Sequence, residues 1–298
     1  MIVLWIVLSI AASMVYGLSN VFDSYLANKI FKKPSTLLFF SSLINLIFLP
    51  IVFLIQVPQL PPLNLLPFFI FLGFVDVIYL YPYYKALEHD ETSVVVSLFS
   101  IDKIFVPLLA FFIVGEVLTV TQYIGFVIIL FSSMMLTLHH HGKFRLNKSF
   151  LYMFVCSLLL AFEGVIYKYL FESVSWSTGF SWGLIFSFLV ILPTLLFSHH
   201  RKSVKLQVKK FEKKIHIFVS NEFLNFAGAA LTTFAVSIAP VTFIKGIDSI
   251  QPLFVLVYAI IFSRLLPKIF REKVDLKNIE KKLLLFALML IGIWIIAG

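Results

Sequence analysis

An all-α polytopic membrane protein, with ten transmembrane helices arranged as two inverted five-helix repeats, is the fold that three features of this sequence predict. The first is composition: of 298 residues, 60% are apolar or aromatic and 13% charged, with a mean hydropathy of +1.01. A soluble domain runs near 45–50% apolar and 25% charged, so a soluble enzyme is excluded. The second is segmentation into ten apolar stretches near the ~20 residues a helix needs to cross a bilayer. The third is the sorting of cationic residues into alternate loops.

The ten stretches run 2–22, 37–56, 66–86, 93–114, 120–138, 150–171, 178–197, 215–235, 241–262 and 283–297. Segment 1 enters the apolar run at Met1-Ile2-Val3-Leu4-Trp5 without a basic leader, so it reads as a retained helix and not a cleaved signal peptide. All ten carry Phe, Leu and Ile on every side with no barrel-like alternation. Lipid offers the backbone no hydrogen-bond partners, so such runs span as helices. With ten spans, the loops after segments 1, 3, 5, 7 and 9 share one side. They hold 21 of the 24 Lys and Arg, including seven between Arg201 and Lys214 and seven between Arg264 and Lys282. The opposite side has no loop cation and carries the acids Glu116 and Glu172. The positive-inside bias makes the basic loops cytoplasmic and turns both termini outward. The net charge of +9 therefore reports orientation and not nucleic-acid binding. The single cysteine, Cys156, excludes an intramolecular disulfide and a thiolate metal cluster.

Sliding the chain by 149 residues aligns segments 3–4 with 8–9. Identities include Ala86/Ala235, Ser100/Ser249, Ile101/Ile250 and Phe105/Phe254, while Asp76 falls on Asn225 and Asp102 on Gln251. Residues 1–139 form the first five-helix unit, 150–298 the second, and 140–149 a basic linker. Five spans per unit is odd, so the second copy enters from the other side, a plan shared by many secondary transporters.

The stretch 86–136, ALEHDETSVVVSLFSIDKIFVPLLAFFIVGEVLTVTQYIGFVIILFSSMML, resembles the drug/metabolite transporter (DMT) superfamily, EamA type. The matching features are Ala86-Leu87, Pro107 followed by Ala110, Gly115-Glu116 opening a short turn, and Gly125 in the next helix; Gly17-x-Ser19-Asn20 is similar to the family's small polar patch. The second copy departs from the pattern, with Arg264 where a Gly-Glu is expected. The resemblance implies a ten-helix inner-membrane exporter or exchanger of small metabolites, its cavity lined by helices 1, 3, 4, 6, 8 and 9. Ten-helix members are described with cytoplasmic termini, opposite to the loop count above.

Eight ionisable residues fall within spans: Asp76, Asp102, Lys103, Glu163, Lys168, Glu222, Lys245 and Asp248. Each costs about 2.5–3.5 kcal/mol at a helix centre, so they turn inward to a wet cavity or to one another. Their balance of −2 suits a zwitterionic or cationic solute, or proton coupling through a carboxylate. Lys245 and Asp248 share a face at i, i+3, with Gly246 between them allowing close approach. Asp102 and Lys103 point about 100° apart, so Asp102 is expected on the cavity and Lys103 paired with an acid on a neighbouring helix. Tyr79 follows Asp76 at i+3, Tyr167 follows Glu163 at i+4, and Asn20 shares a stripe with Tyr16 and Asp23. The expected binding residues are thus Asn20, Asp76, Tyr79, Asp102, Lys103, Glu163, Tyr167, Lys245, Asp248 and Gln251. For each, a Lys–Asp pair that merely holds helices in register is the competing reading. Glu222 and Lys168 suit snorkelling at helix ends. Pro107 and Pro252 are expected to kink their helices, and Gly179-x-x-x-Gly183 forms either internal packing or a dimer face.

Partners are a small-molecule solute, a coupling proton or ion, and the lipid bilayer; the chain is a monomer or weak homodimer with no cofactor. The rival classes are an intramembrane lipid-modifying enzyme and a solute channel. His139-His140-His141 and His199-His200 come without an HExxH or a paired acid, and consecutive His cannot all reach one ion. No GxxxxGK[ST] is present to drive ATP-powered pumping. A secondary transporter of amino acids, amines or drug-like compounds is the expectation.

Overall fold

Each apolar stretch folds as helix, since that conformation satisfies every backbone N–H and C=O within the segment. The computed structural model describes residues 2–26, 34–90, 95–96, 98–141, 148–198, 201–202, 204, 215–265 and 279–297. Numbered by the predicted segments, the helices are α1 Ile2–Tyr25, α2 Pro34–Ile55, α3a Leu66–Ile78, α3b Leu80–Leu87, α4 Asp102–Val114 and α5 Val120–His141. The second half supplies α6 Lys148–Phe171, α7 Trp176–Ile191, α8 Ile215–Ile238, α9a Val241–Ile247, α9b Gln251–Leu265 and α10 Ile279–Ala297. No strand occurs among the described residues. Six stretches, Leu4–Asp23, Leu37–Ile55, Leu63–Leu87, Lys148–Phe171, Trp176–Leu196 and Val241–Phe262, are long and apolar enough to cross a membrane. The chain is an integral, multi-pass membrane protein.

The radial order is inverted relative to a soluble protein. Leu54, Phe112 and Trp294 stand exposed on the outside, while Asp102, Lys103, Asn221 and Glu222 are buried inside. Lipid solvates the first set at no cost, and the second must find partners within the bundle. Helix α1 packs along α8 and against α9b, and α6 packs along α3a, α3b and α4. Helices α2 and α7 meet each other, and α5 pairs with α10.

Three spans are interrupted. In the third, Tyr79 joins α3a to α3b; Pro82 has no N–H for the Ile78 carbonyl, and that missing bond marks the joint. A 3₁₀ turn at Phe99–Ile101 leads into α4, and another at Asp248–Ile250 joins α9a to α9b. These two turns lie 149 residues apart, the interval that aligns the two halves in sequence. In the second, Gln251 N–H closes back on the Asp248 carbonyl, because Pro252 lacks the N–H that would make the α-helical bond there. The kink expected at Pro252 is therefore a break just ahead of it. Pro107 behaves otherwise: it sits inside an unbroken α4, where one lost donor is tolerated in the middle of a packed helix.

Close crossings explain several glycines. A Cβ added to Gly73 would lie 2.4 to 2.7 Å from the backbone of Phe186 and Ser187 on α7. Gly179 and Gly183 face the Phe171 ring and the Tyr167 hydroxyl of the same chain. Both are taken up in internal packing, which removes this motif as an argument for a dimer.

Gly73→Ala is expected to cost about 1–3 kcal/mol by overpacking, because a backbone neighbour cannot swing aside as a side chain can. Thermal unfolding of the detergent-purified variant measures it.

Candidate functional site

The buried charges gather around one internal cavity of about 180 Å³. All ten expected binding residues line it. Residues of α2 and α7, such as Ser41 and Ser187, line it too, so the wall uses eight of the ten spans and not only the six implied by the resemblance. Only the span pairs formed by α5 and α10 stay outside.

At the middle level, α4 and α9 bring the charges together. Lys103 Nζ lies 2.7 Å from Asp102 Oδ1. The lysine thus folds back on its own neighbour, against the expectation of an acid on another helix; at the first turn after a 3₁₀ segment, its long stem spans the angle between the two Cβ directions. Asp248 accepts a hydrogen bond from the Ser13 hydroxyl at 3.4 Å. Lys245 crosses α6 where Gly164 leaves room, a Cβ there coming 2.8 Å from Lys245 Cε. Its charge neighbours are Asp102, Asp248 and Glu163, yet among the described residues it forms no direct ion pair. Gly246, expected to open the site, faces Phe126 and Ile129 of α5 instead. Across the cavity, Asp76 Oδ2 accepts from the Ser187 hydroxyl at 2.7 Å. Asp76 and Glu163 are charge neighbours on the cavity wall.

Toward the end where α1 finishes and α8 begins lies a second acidic level that sequence reasoning did not assign to the site. Asp23 Oδ1 accepts from Asn221 Nδ2 at 2.7 Å and from the Tyr84 hydroxyl at 3.4 Å. The Tyr83 hydroxyl stands between Asp23 Oδ2 at 3.2 Å and Asn20 Oδ1 at 3.0 Å. Glu222 is fully buried and takes the Ser41 hydroxyl on Oε2. It does not snorkel, since α8 turns it inward onto α2. The polar stripe Tyr16–Asn20–Asp23 was the signal for Asp23; Ser41 and Asn221 gave none, being polar residues of kinds that transmembrane helices commonly carry.

Lys168 leaves the cavity count as well. Its Nζ donates to the carbonyls of Val236 and Ala239 at 3.2 and 3.0 Å, capping the C-terminus of α8. Glu116 caps the next helix: Val241 N–H and Thr242 N–H donate to its two carboxylate oxygens at 2.9 and 3.0 Å. Gly115 makes this reach possible by ending α4 in the left-handed conformation, φ 66°. The Gly115-Glu116 pair that opens a turn in sequence is thus a clamp between the two halves. With Lys168 out and Asp23 in, the cavity wall carries Asp23, Asp76, Asp102, Glu163, Glu222 and Asp248 against Lys103 and Lys245. The side chains of His139–His141 and His199–His200 lie outside the described residues.

An apolar exterior thus surrounds a charged cavity walled by many helices. Residues 3–138 match the EamA-like transporter family, a stretch that falls short of half of the 298-residue chain. Among solved structures 28 chains match. One, a crystal structure, has a TM-score of 0.60 at 14% identity, covering 96% of this chain and 97% of that one; this likeness concerns the fold alone. No curated protein matches the chain.

Glu116→Ala uncaps two N–H groups and is expected to cost about 1 kcal/mol, a typical capping loss, with Glu116→Gln retaining part of the cap. A thermal-shift comparison of the two variants measures this, and equal losses would contradict it.

Proposed function

We propose that the protein is a secondary exporter or exchanger of small organic cations and zwitterions, such as amino acids, amines or drug-like cations, working by alternating access in a bacterial cytoplasmic membrane. The observation that carries this reading is the charge on the cavity: six carboxyls against two ammonium groups around about 180 Å³. A cavity of that sign in a low-dielectric surround is costly when empty, and a cationic solute or protons offset the cost. An anionic or phosphorylated solute would add to the repulsion, and of the two cavity lysines Lys245 is the one without a direct ion pair among the described residues.

The two-halves arrangement supports alternating access. Residues 1–139 contribute Asp23, Asp76, Asp102 and Lys103; residues 150–298 contribute Glu163, Glu222, Asp248 and Lys245. The packing of α1 on α8 and α9b mirrors that of α6 on α3 and α4. Both 3₁₀ turns bring their charged residues, Asp102 and Asp248, to the cavity at the junction of the halves. Rocking about such a junction exposes the same residues to one side and then the other. Lys103 and Lys245 hold the middle-level acids apart and provide a group able to meet a solute carboxylate, which favours amino acids over simple amines.

A thermal-shift screen of unlabelled amines and amino acids finds the solute, and counterflow of the radiolabelled hit in proteoliposomes tests transport. Asp102→Asn and Asp248→Asn are each expected to raise the half-saturating concentration at least about tenfold, the equivalent of ~1.4 kcal/mol. Unchanged counterflow in both variants would contradict the assignment.

A further inference from the structure

The two acids at the α1–α8 end are not equivalent, and the difference lies in their hydrogen-bond donors. Asp23 has Asn221 Nδ2 and the Tyr84 hydroxyl on one oxygen, and the Tyr83 hydroxyl, shared with Asn20, on the other. Glu222 has one donor, Ser41, on Oε2. Its Oε1 is buried with no hydrogen-bond partner among the described residues, and Asn20, 5% exposed, likewise leaves its Nδ2 unpartnered. Both side chains line the cavity. No Lys or Arg among the described residues pairs with either acid, and each is a charge neighbour of the other. Donors that converge on one carboxylate favour its charged form, while a bare carboxylate oxygen beside a like charge favours the protonated form.

We propose that Glu222 is a proton-binding site at the basic-loop end of the cavity, separate from the solute site around Asp102, Lys245 and Asp248. The proposal rests on the transport reading for its use: a carrier that loads a proton here and a solute at the middle level can couple the two. The groups facing Glu222 and Asp23 are Asn20 from α1, Ser41 from α2, Tyr83 and Tyr84 from α3b, and Asn221 and Asn225 from α8; among these described residues the two acids are the only carboxyls. A metal cation fits this place poorly. It asks for about six oxygen ligands, whereas the Asp23 oxygens already have N–H and O–H groups pointed at them. The Glu222 carboxyl instead has one oxygen tied to Ser41 and one open to accept a proton and release it to the cavity.

The test uses full-length protein reconstituted in lipid, followed by infrared difference spectroscopy from mildly acidic to mildly alkaline pH, with protons as the only added ligand. A protonated-carboxyl band that disappears as pH rises is expected in the wild type, absent in Glu222→Gln, present at a shifted frequency in Glu222→Asp and retained in Asp102→Asn. A band unchanged in Glu222→Gln, or one displaced by Na⁺ at fixed pH, overturns the proton site. A second readout uses the solute exchanged by the wild type: Glu222→Gln is expected to keep counterflow and lose all uphill accumulation driven by a pH gradient. Retained accumulation overturns coupling through Glu222. Because the infrared band is read without solute, its failure leaves the transport reading standing, whereas absent wild-type counterflow with an intact band defeats transport alone.

Discussion

Charged groups cannot face hydrocarbon, and nearly everything in this bundle follows from where eight of them go. Six carboxyls and two ammonium groups lie on one cavity, at a cost on insertion of about 2.5–3.5 kcal/mol each if left unpartnered at a helix centre. The chain meets that cost by three devices. A lysine turns onto its own neighbour, as Lys103 does on Asp102. A hydroxyl on a neighbouring helix meets an acid, as Ser187 does Asp76. Neutral donors converge on a single acid, as Asn221, Tyr83 and Tyr84 do on Asp23. What these leave over among the described residues, Lys245 without an ion pair and the bare oxygen of Glu222, lies on the cavity wall.

Helix interruptions set the positions of those groups. Each 3₁₀ turn, at Phe99–Ile101 and Asp248–Ile250, interrupts its span at an aspartate that lines the cavity. Caps hold the connections that such breaks leave exposed. Glu116 on α9a and Lys168 on α8 both secure the single turn around Ala239 and Pro240, so a loop acid from one half and a helix lysine from the other meet at one end. At the opposite end, α1, α3b and α8 are tied through Asp23.

Much of this was legible because intramembrane charge has so few places to go. Asp76, Asp102, Glu163, Lys245 and Asp248 are outliers in apolar runs, and their neighbours Tyr79 and Tyr167 follow by helical spacing; all reach the cavity. Gln251 came from the 149-residue alignment. The rest depended on side-chain reach, which spacing does not encode. Lys168 sits on an inward helix yet extends to backbone carbonyls, and Lys103 bends back across an angle that an ideal helix would keep open. Glu222, two turns from a helix end, has the position of a snorkelling residue, but α2 covers it with Ser41. The contribution of α2 was invisible for the same reason: Ser41, Ser42 and Asn45 do not stand out among residues that lipid-spanning helices tolerate. The break at Tyr79 had a signal in Pro82, which removes the donor for Ile78.

The sign of the cavity is the claim on which the rest of the functional account turns. The direct measurement is competition by three solutes of similar size, an organic cation, its zwitterionic amino acid and a matched anion, against counterflow in proteoliposomes. The account predicts inhibition by the cation and the zwitterion and none by the anion. Inhibition by the anion alone would contradict it.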